Sequence, residues 1–247
     1  MHSKVLTSNT LKIIAIISMV IDHIGLVFFP ELIIFRIIGR LAFPIFAFCI
    51  AEGYAKTHNK IKYALRMLIF ALISTYPFLL VAPNGLILNI MFTFLISIGV
   101  MFLYDNMTKS QAEYNSTLIE HKSKSQLNLL LSSTAFYFTL LFVIAFTVLV
   151  PTDYYFYGVF CVLIFYIFKD NFYKQALYFS LLTIAFSLLT ISPEQSFILN
   201  ILQIFSLFSL PLLYLYNGKR GKFNLKYLFY IFYPLQFIVL YLIKILI

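Results

Sequence analysis

The stretch LKIIAIISMVIDHIGLVFF, residues 11–29, is followed after Pro30-Glu31 by LIIFRIIGRLAFPIFAFCI, residues 32–50. Each is long and apolar enough to cross a hydrocarbon core about 30 Å thick as a helix. Each also carries what a lipid-facing helix avoids: Asp22 and His23 in the first, Arg36 and Arg40 in the second. A charged side chain at mid-bilayer costs roughly 2.5–3.5 kcal/mol even on the lenient insertion scale, so these residues mark a functional site inside a membrane.

The rest of the chain repeats the apolar half of that pattern. Of 247 residues, 62% are hydrophobic and 11% charged, with a mean hydropathy of +0.94, which leaves too little polar surface for a water-soluble globule. Apolar runs fall at residues 11–29, 32–51, 64–82, 86–104, 127–150, 154–168, 172–191, 197–216 and 225–246. The expectation is an all-α polytopic membrane bundle of about nine transmembrane helices, one domain over residues 1–247.

Lysine and arginine gather in alternate connections. Lys4 and Lys12 open the chain, and Lys56, Lys60, Lys62 and Arg66 follow the second run. Lys109, Lys122 and Lys124 follow the fourth, Lys169 and Lys174 the sixth, and Lys219, Arg220, Lys222 and Lys226 the eighth. The other connections, Pro30-Glu31, Ala82-Pro83-Asn84-Gly85, Pro151-Thr152-Asp153 and Ser192-Pro193-Glu194-Gln195, carry none. Cytoplasmic loops hold the basic excess, so the N-terminus is expected inside and the C-terminus outside. The net charge of +9 then records topology, and nucleic acid is not an expected partner.

Several other classes are disfavoured. The first run lacks a small-residue cleavage pattern and is read as a mature helix. Cys49 and Cys161 lie inside spans and imply no disulfide framework, and no His/Cys spacing suits a metal. Residues 105–126, rich in Ser, Asn, Lys and Glu, read as a flexible cytoplasmic loop that includes His121.

Depth makes the first two helices specific. Asp22 lies about 16 Å from a boundary at Leu11, and Arg40 roughly 12 Å from one at Leu32, by the helical rise. A short connection makes the two helices antiparallel neighbours, so an Asp22/Arg40 ion pair is available, with Arg36 one turn away on the same face. His23 lies about 100° round from Asp22 and is a natural proton acceptor at neutral pH. Arginines beside it suit an oxyanion or an anionic group. Ser74, Tyr76, Asn89, Thr93, Asp153, Asn200, Gln203 and Gln236 are expected to lean toward the same outer cavity. On the cytoplasmic side Glu52, Lys56, His58, Lys60, Lys62 and Arg66, with Lys219, Arg220 and Lys222, form a basic patch able to dock a polyanionic donor.

The string IDHIG, then FRIIGRLAFPIFAFCIAEGYAKTHNKIKYALRMLIFALIS, LNIMFTF, DYYFYGVF, LYLYNGKRG and YLFYIFYPL, resembles the TraX family. That family is named for the membrane protein that acetylates the N-terminus of conjugative pilin, and it is similar to transmembrane acyltransferases of envelope sugars. The resemblance covers nearly the whole chain. It implies acetyl-CoA as co-substrate, a bacterial cytoplasmic membrane, and functional weight on Asp22, His23, Gly39, Arg40, Pro44, Glu52, Gly53, Arg66, Asn89, Asp153, Tyr154, Gly158, Asn217, Gly218, Arg220 and Gly221. The family's last motif reads FYPxH, and Gln236 stands here at its final position.

The resulting expectation is acetyl transfer from cytoplasmic acetyl-CoA to an acceptor amine or hydroxyl on the outer side, a peptide N-terminus or a glycan. His23 would act as base or be transiently acetylated, Asp22 would orient it, and Arg36 and Arg40 would stabilise the oxyanion. Glu52, Arg66, Lys219 and Arg220 would face the cofactor; Asn89, Asp153, Tyr154, Asn200, Gln203 and Gln236 the acceptor. The alternative is a proton-coupled transporter with Asp22 and His23 as relay and the arginines as anion site. A noncatalytic bundle held by ion pairs is the third possibility.

Overall fold

The computed structural model describes residues 4–81, 88–117, 122–192, 196–222 and 226–246. Helix α1 runs Ser8–Phe28, α2 Ile33–Gly39, α3 Ala42–Lys56, α4 Lys60–Val81, α5 Ile90–Ser116 and α6 Lys122–Leu149. Then come α7 Tyr155–Ile167, α8 Phe172–Leu189, α9 Phe197–Asn200, a 3-10 segment Leu202–Phe208, α10 Ser209–Tyr214 and α11 Lys226–Leu246. No strand forms among the described residues; only two isolated bridges occur there, Leu6 to Tyr216 and Leu88 to Thr152.

Among the described residues seven helical stretches are long and apolar enough to span a membrane: α1, α2 with α3, α4, α5, α6, α8 and α11. Tyr155–Ile167 and Leu202–Tyr214 are shorter apolar helices. The chain is therefore a multi-pass membrane protein. Helix α7 is short because it is central: Tyr157, Val159, Cys161 and Val162 are fully buried, packed by α3, α5, α6 and α8. Helix α6 is the opposite case. Leu130, Leu131, Phe138 and Leu141 lie exposed along it, as suits a surface whose solvent is lipid.

Three expectations change. The run 32–51 is not one helix but breaks at Arg40-Leu41 and continues to Lys56. Pro44 explains the break, because it has no N–H to offer the Arg40 carbonyl. The run 197–216 is likewise divided into α9, the 3-10 segment and α10. The stretch 105–126, read as a loop, is helical through Ser116 and again from Lys122. His121, the connection 82–85, Glu194 and Gln195 lie outside the described residues.

The basic helix ends meet at one end of the bundle. Residues 6–9 lie along 215–220, with Leu6 N–H donating to the Leu215 carbonyl at 3.0 Å and Ser8 N–H to Lys219 at 2.8 Å. Lys56 donates to the Gly218 carbonyl at 2.8 Å. Asp105 gathers four helices by accepting from Tyr54 of α3, Lys60 of α4 and Tyr166 of α7. At the opposite end Leu88 pairs with Thr152, and Asn200 clasps Ser192.

Candidate active site

Helix α1 buries a stripe of Leu11, Ala15, Ser18, Asp22 and Gly25, spaced by three and four residues. Small residues on that stripe let α2 approach closely. A Cβ on Gly25 would stand 2.2 Å from Phe35, and one on Gly39 would stand 2.2 to 2.3 Å from the Asp22 carboxyl group. The carboxylate thus rests on bare backbone of the partner helix. That contact sets its height opposite both arginines.

Asp22 Oδ2 lies 3.0 Å from Arg36 Nη1 and 3.2 Å from Arg40 Nη2. Arg40 Nη2 also reaches Oδ1 at 3.3 Å. The Asp22 and Arg40 side chains are each 11% exposed, that of Arg36 25%. Arg40 continues outward: its Nη1 donates to Gln203 Oε1 at 3.4 Å, and its guanidinium lies 5.7 Å from the centre of the Tyr154 ring. Gln203 Nε2 donates to the Tyr157 hydroxyl at 3.1 Å, which also meets Thr183 at 3.1 Å and Ser206 at 3.4 Å. A polar network therefore runs from α1 through the α2–α3 break to α7, α8 and the 3-10 segment. The break matters chemically because it brings Arg40 out of regular helix beside Gln203.

His23 points elsewhere. Its ring lies 4.8 Å from that of Phe237, and it faces the Gln236 amide. His23 Nδ1 and both amide atoms of Gln236 are buried without a hydrogen bond. Both Asp22 carboxylate oxygens are bonded to arginines, and Asp22 acts on His23 through its charge. Two successive residues of α1 thus serve different faces, Asp22 toward the arginines and His23 toward α11.

On the His23 face lies a cavity of about 400 Å³. Lys12, Glu52, Lys56, Arg66 and Arg220 line its mouth, Cys49, Phe46 and Met67 its middle, and Ile90, Met91, Phe94 and Tyr233 its far end. Along α3 the distance from Lys56 to Phe46 is about 15 Å by the helical rise. Met19 also lines the cavity, so His23 follows one turn deeper on the same side of α1. Four cations to one carboxylate favour an anionic head group, and the interior favours an apolar or amide-bearing arm. Glu52 accepts from Lys56 at 2.7 Å and from the Tyr216 hydroxyl. Burial, then that bond to Glu52, drives the Tyr216 phenol up from its ordinary range.

Of the residues expected at the cofactor, Glu52, Arg66 and Arg220 line this cavity, while Lys219 does not. The Lys219 backbone instead ties the loop, its carbonyl accepting from Ser8 and its N–H donating to Asn217 at 2.9 Å. Of those expected at the acceptor, Gln203 and Tyr154 meet Arg40, and Gln236 faces His23. Asn89 is occupied structurally. Its Oδ1 caps Met91 N–H at 3.0 Å and its Nδ2 donates to the Ala71 carbonyl at 2.9 Å. Asn200 accepts from Ser192 N–H at 2.9 Å and returns a bond to its carbonyl, fastening a connection rather than lining the cavity. Tyr76 is 72% exposed, on the outside of the bundle.

Asp153 sits in the turn before α7 and is half-buried. Burial pushes its carboxyl up to about 6, against the opposing pull of Arg40. The sequence reading missed Tyr157, Lys12 and Tyr233. Tyr157 had a visible signal: a phenol on the first turn of an apolar helix needs a partner for its hydroxyl.

The family model described as TraX protein matches residues 7–244. The protein RP591 of Rickettsia prowazekii is 38% identical over 96 residues, 39% of this chain and 36% of its own length. A probable fimbrial assembly protein FimC, serogroup H1, of Dichelobacter nodosus is 38% identical over 68 residues, 26% of this chain and 28% of its own length. The aligned part of this chain thus spans about a third of each curated relative. No solved structure matches.

Proposed function

The chain belongs to the TraX family, and from that premise we propose that it is an integral membrane acetyltransferase of the bacterial cytoplasmic membrane. It takes acetyl groups from acetyl-CoA on the cytoplasmic side and passes them to an amine or hydroxyl presented from the outer side. The observation that carries this reading is the cavity with a basic mouth at Lys12, Lys56, Arg66 and Arg220 and an interior that ends one turn short of His23. The phosphates of the donor meet the cations, the pantetheine arm fills the interior, and the thioester arrives at the imidazole.

His23 then either accepts the acetyl group or draws the proton of the attacking nucleophile, and both roles place it at the acyl carbon. Gln236 faces it with an amide able to bond the ring or the thioester carbonyl. Arg36 and Arg40, anchored on Asp22, supply fixed positive charge beside the developing oxyanion. The fimbrial relative supports a surface-appendage subunit as acceptor, its free N-terminus entering from the outer leaflet.

Cys49 supplies a test that needs no acceptor. Cys49 lines the cavity, with 6% of its surface exposed, whereas Cys161 is fully buried elsewhere. Alkylation by N-ethylmaleimide in nanodiscs, mapped by mass spectrometry, should mark Cys49 in free protein and be suppressed saturably by acetyl-CoA. Arg66→Ala should weaken that protection about tenfold or more, the loss of a charge-assisted phosphate contact. Unprotected Cys49 at millimolar acetyl-CoA, together with pH-driven solute flux, would move the assignment to a proton-coupled transporter.

A further inference from the structure

The turn Thr152-Asp153-Tyr154-Tyr155 is built differently from every other connection described. Tyr154 and Tyr155 both have left-handed backbone, with φ of 66° and 47°, the only non-glycine residues so placed among those described. Each such residue costs on the order of 1–3 kcal/mol and persists where its surroundings over-determine it. They do so here. Asp153 N–H donates to the Leu88 carbonyl at 2.9 Å, Leu88 N–H donates to Pro151 at 2.9 Å, and Thr93 Oγ1 donates to the Asp153 carbonyl at 2.7 Å. Tyr154 stacks on Phe43 with ring centres 4.0 Å apart, and Gly158 must lack a Cβ because Thr93 Cγ2 would stand 2.6 Å from it.

Within this rigid turn the Asp153 carboxylate takes no hydrogen bond among the described residues, although its backbone is bonded on both sides. A structural aspartate spends its carboxylate on a cap or an ion pair. The turn also sits against the far end of the acyl-donor cavity. Leu88 and Thr93, which hold Asp153, are close neighbours in sequence of the cavity-lining Ile90, Met91 and Phe94, and Tyr233 both lines the cavity and lies within electrostatic reach of Asp153. The carboxylate also lies within electrostatic reach of Arg40, Asp22 and Arg36.

We propose that Asp153 is the acceptor-side catalytic base, the carboxylate that receives the proton of the incoming nucleophile. This inference rests on the acetyl-transfer reading and divides its labour: His23 meets the donor, Asp153 the acceptor. The acceptor nitrogen or oxygen bonds to the acyl carbon while its proton moves to the Asp153 carboxylate. The bond from that carbon to its carrier breaks: donor sulfur leaves as thiolate, or, where the His23 ring has already displaced that thiolate and become an acylimidazolium, the ring leaves as neutral imidazole. Asp153 then gives its proton to water at the outer face. The burial that raises its carboxyl keeps it a competent base near neutral pH.

The test compares wild-type, Asp153→Asn and Asp153→Glu proteins in nanodiscs with labelled acetyl-CoA. The acceptor probe is a synthetic peptide with a free α-amine followed by one apolar segment. Transfer to the peptide should fall about 100-fold in Asp153→Asn and recover in part in Asp153→Glu. Protection of Cys49 by acetyl-CoA should be unchanged in both, which reports a folded donor site. The wild-type rate should rise with pH through about 6, because the base is the ionised form, and Asp153→Asn should lose that limb. Transfer by Asp153→Asn within about threefold of wild type, with the limb retained, would overturn the role of Asp153 alone. Absence of donor protection and turnover in wild type would overturn the acetyl-transfer reading, and this inference with it.

Discussion

Gly39 has no side chain because the Asp22 carboxyl group occupies the space a Cβ would need. Gly39→Ala should therefore displace the carboxylate from both arginines and cost on the order of 2–3 kcal/mol, read as a lower melting temperature in detergent; an unchanged melt would contradict the close approach. His23→Ala is expected to behave differently. It leaves folding and Cys49 protection intact and abolishes transfer, since the Nδ1 of its ring is buried without a hydrogen bond to the fold. The pairing of Asp22 with Arg40 was legible from depth alone, because a two-residue connection fixes the register of antiparallel helices. The partition of Asp22 and His23 between two faces was not. It depends on where α11 packs, and α11 is more than two hundred residues away in sequence.

At the scale of elements, the α2–α3 break positions Arg40 against Gln203. Pro44→Ala should restore the missing hydrogen bond to the Arg40 carbonyl and straighten the pair. The expected outcome is equal or greater thermal stability with transfer reduced about tenfold or more, because an arginine moved by an ångström loses its place. Asp105 ties α3, α4, α5 and α7 through Tyr54, Lys60 and Tyr166. Asp105→Ala should cost on the order of 3 kcal/mol by stranding Lys60 and two phenols, while leaving the apparent affinity for acetyl-CoA unchanged in the folded fraction. The helical continuation of α5 past Asp105 was hidden by composition. Ser, Asn and Lys suggest a loop, yet SQAEYNS also holds good helix formers, and Lys60 and Tyr166 anchor the extension where single-chain periodicity carries no trace of them.

The whole molecule gathers its basic helix ends, the 215–220 loop and the cavity mouth at one end, and Arg40, Gln203 and the Asp153 turn toward the other. The alternation of charged and uncharged connections made this polarity readable from sequence, since it obeys a rule about membranes rather than about packing. An alkaline phosphatase reporter, active only outside the cytoplasm, should be silent when fused after residue 57 and active when fused after residue 192. The depth of the cavity, by contrast, could not be read, because it is made where α1, α3, α4, α5 and α11 leave space between them. The most direct measurement is acetyl-CoA turnover by purified protein in nanodiscs, wild type beside His23→Ala, scored by free CoA thiol and by acetyl transfer to a peptide amine. An acetyltransferase fed through the basic cavity releases thiol and acetylates the peptide in wild type and does neither in His23→Ala. Equal turnover by the two proteins, or none in wild type at millimolar acetyl-CoA, would contradict it.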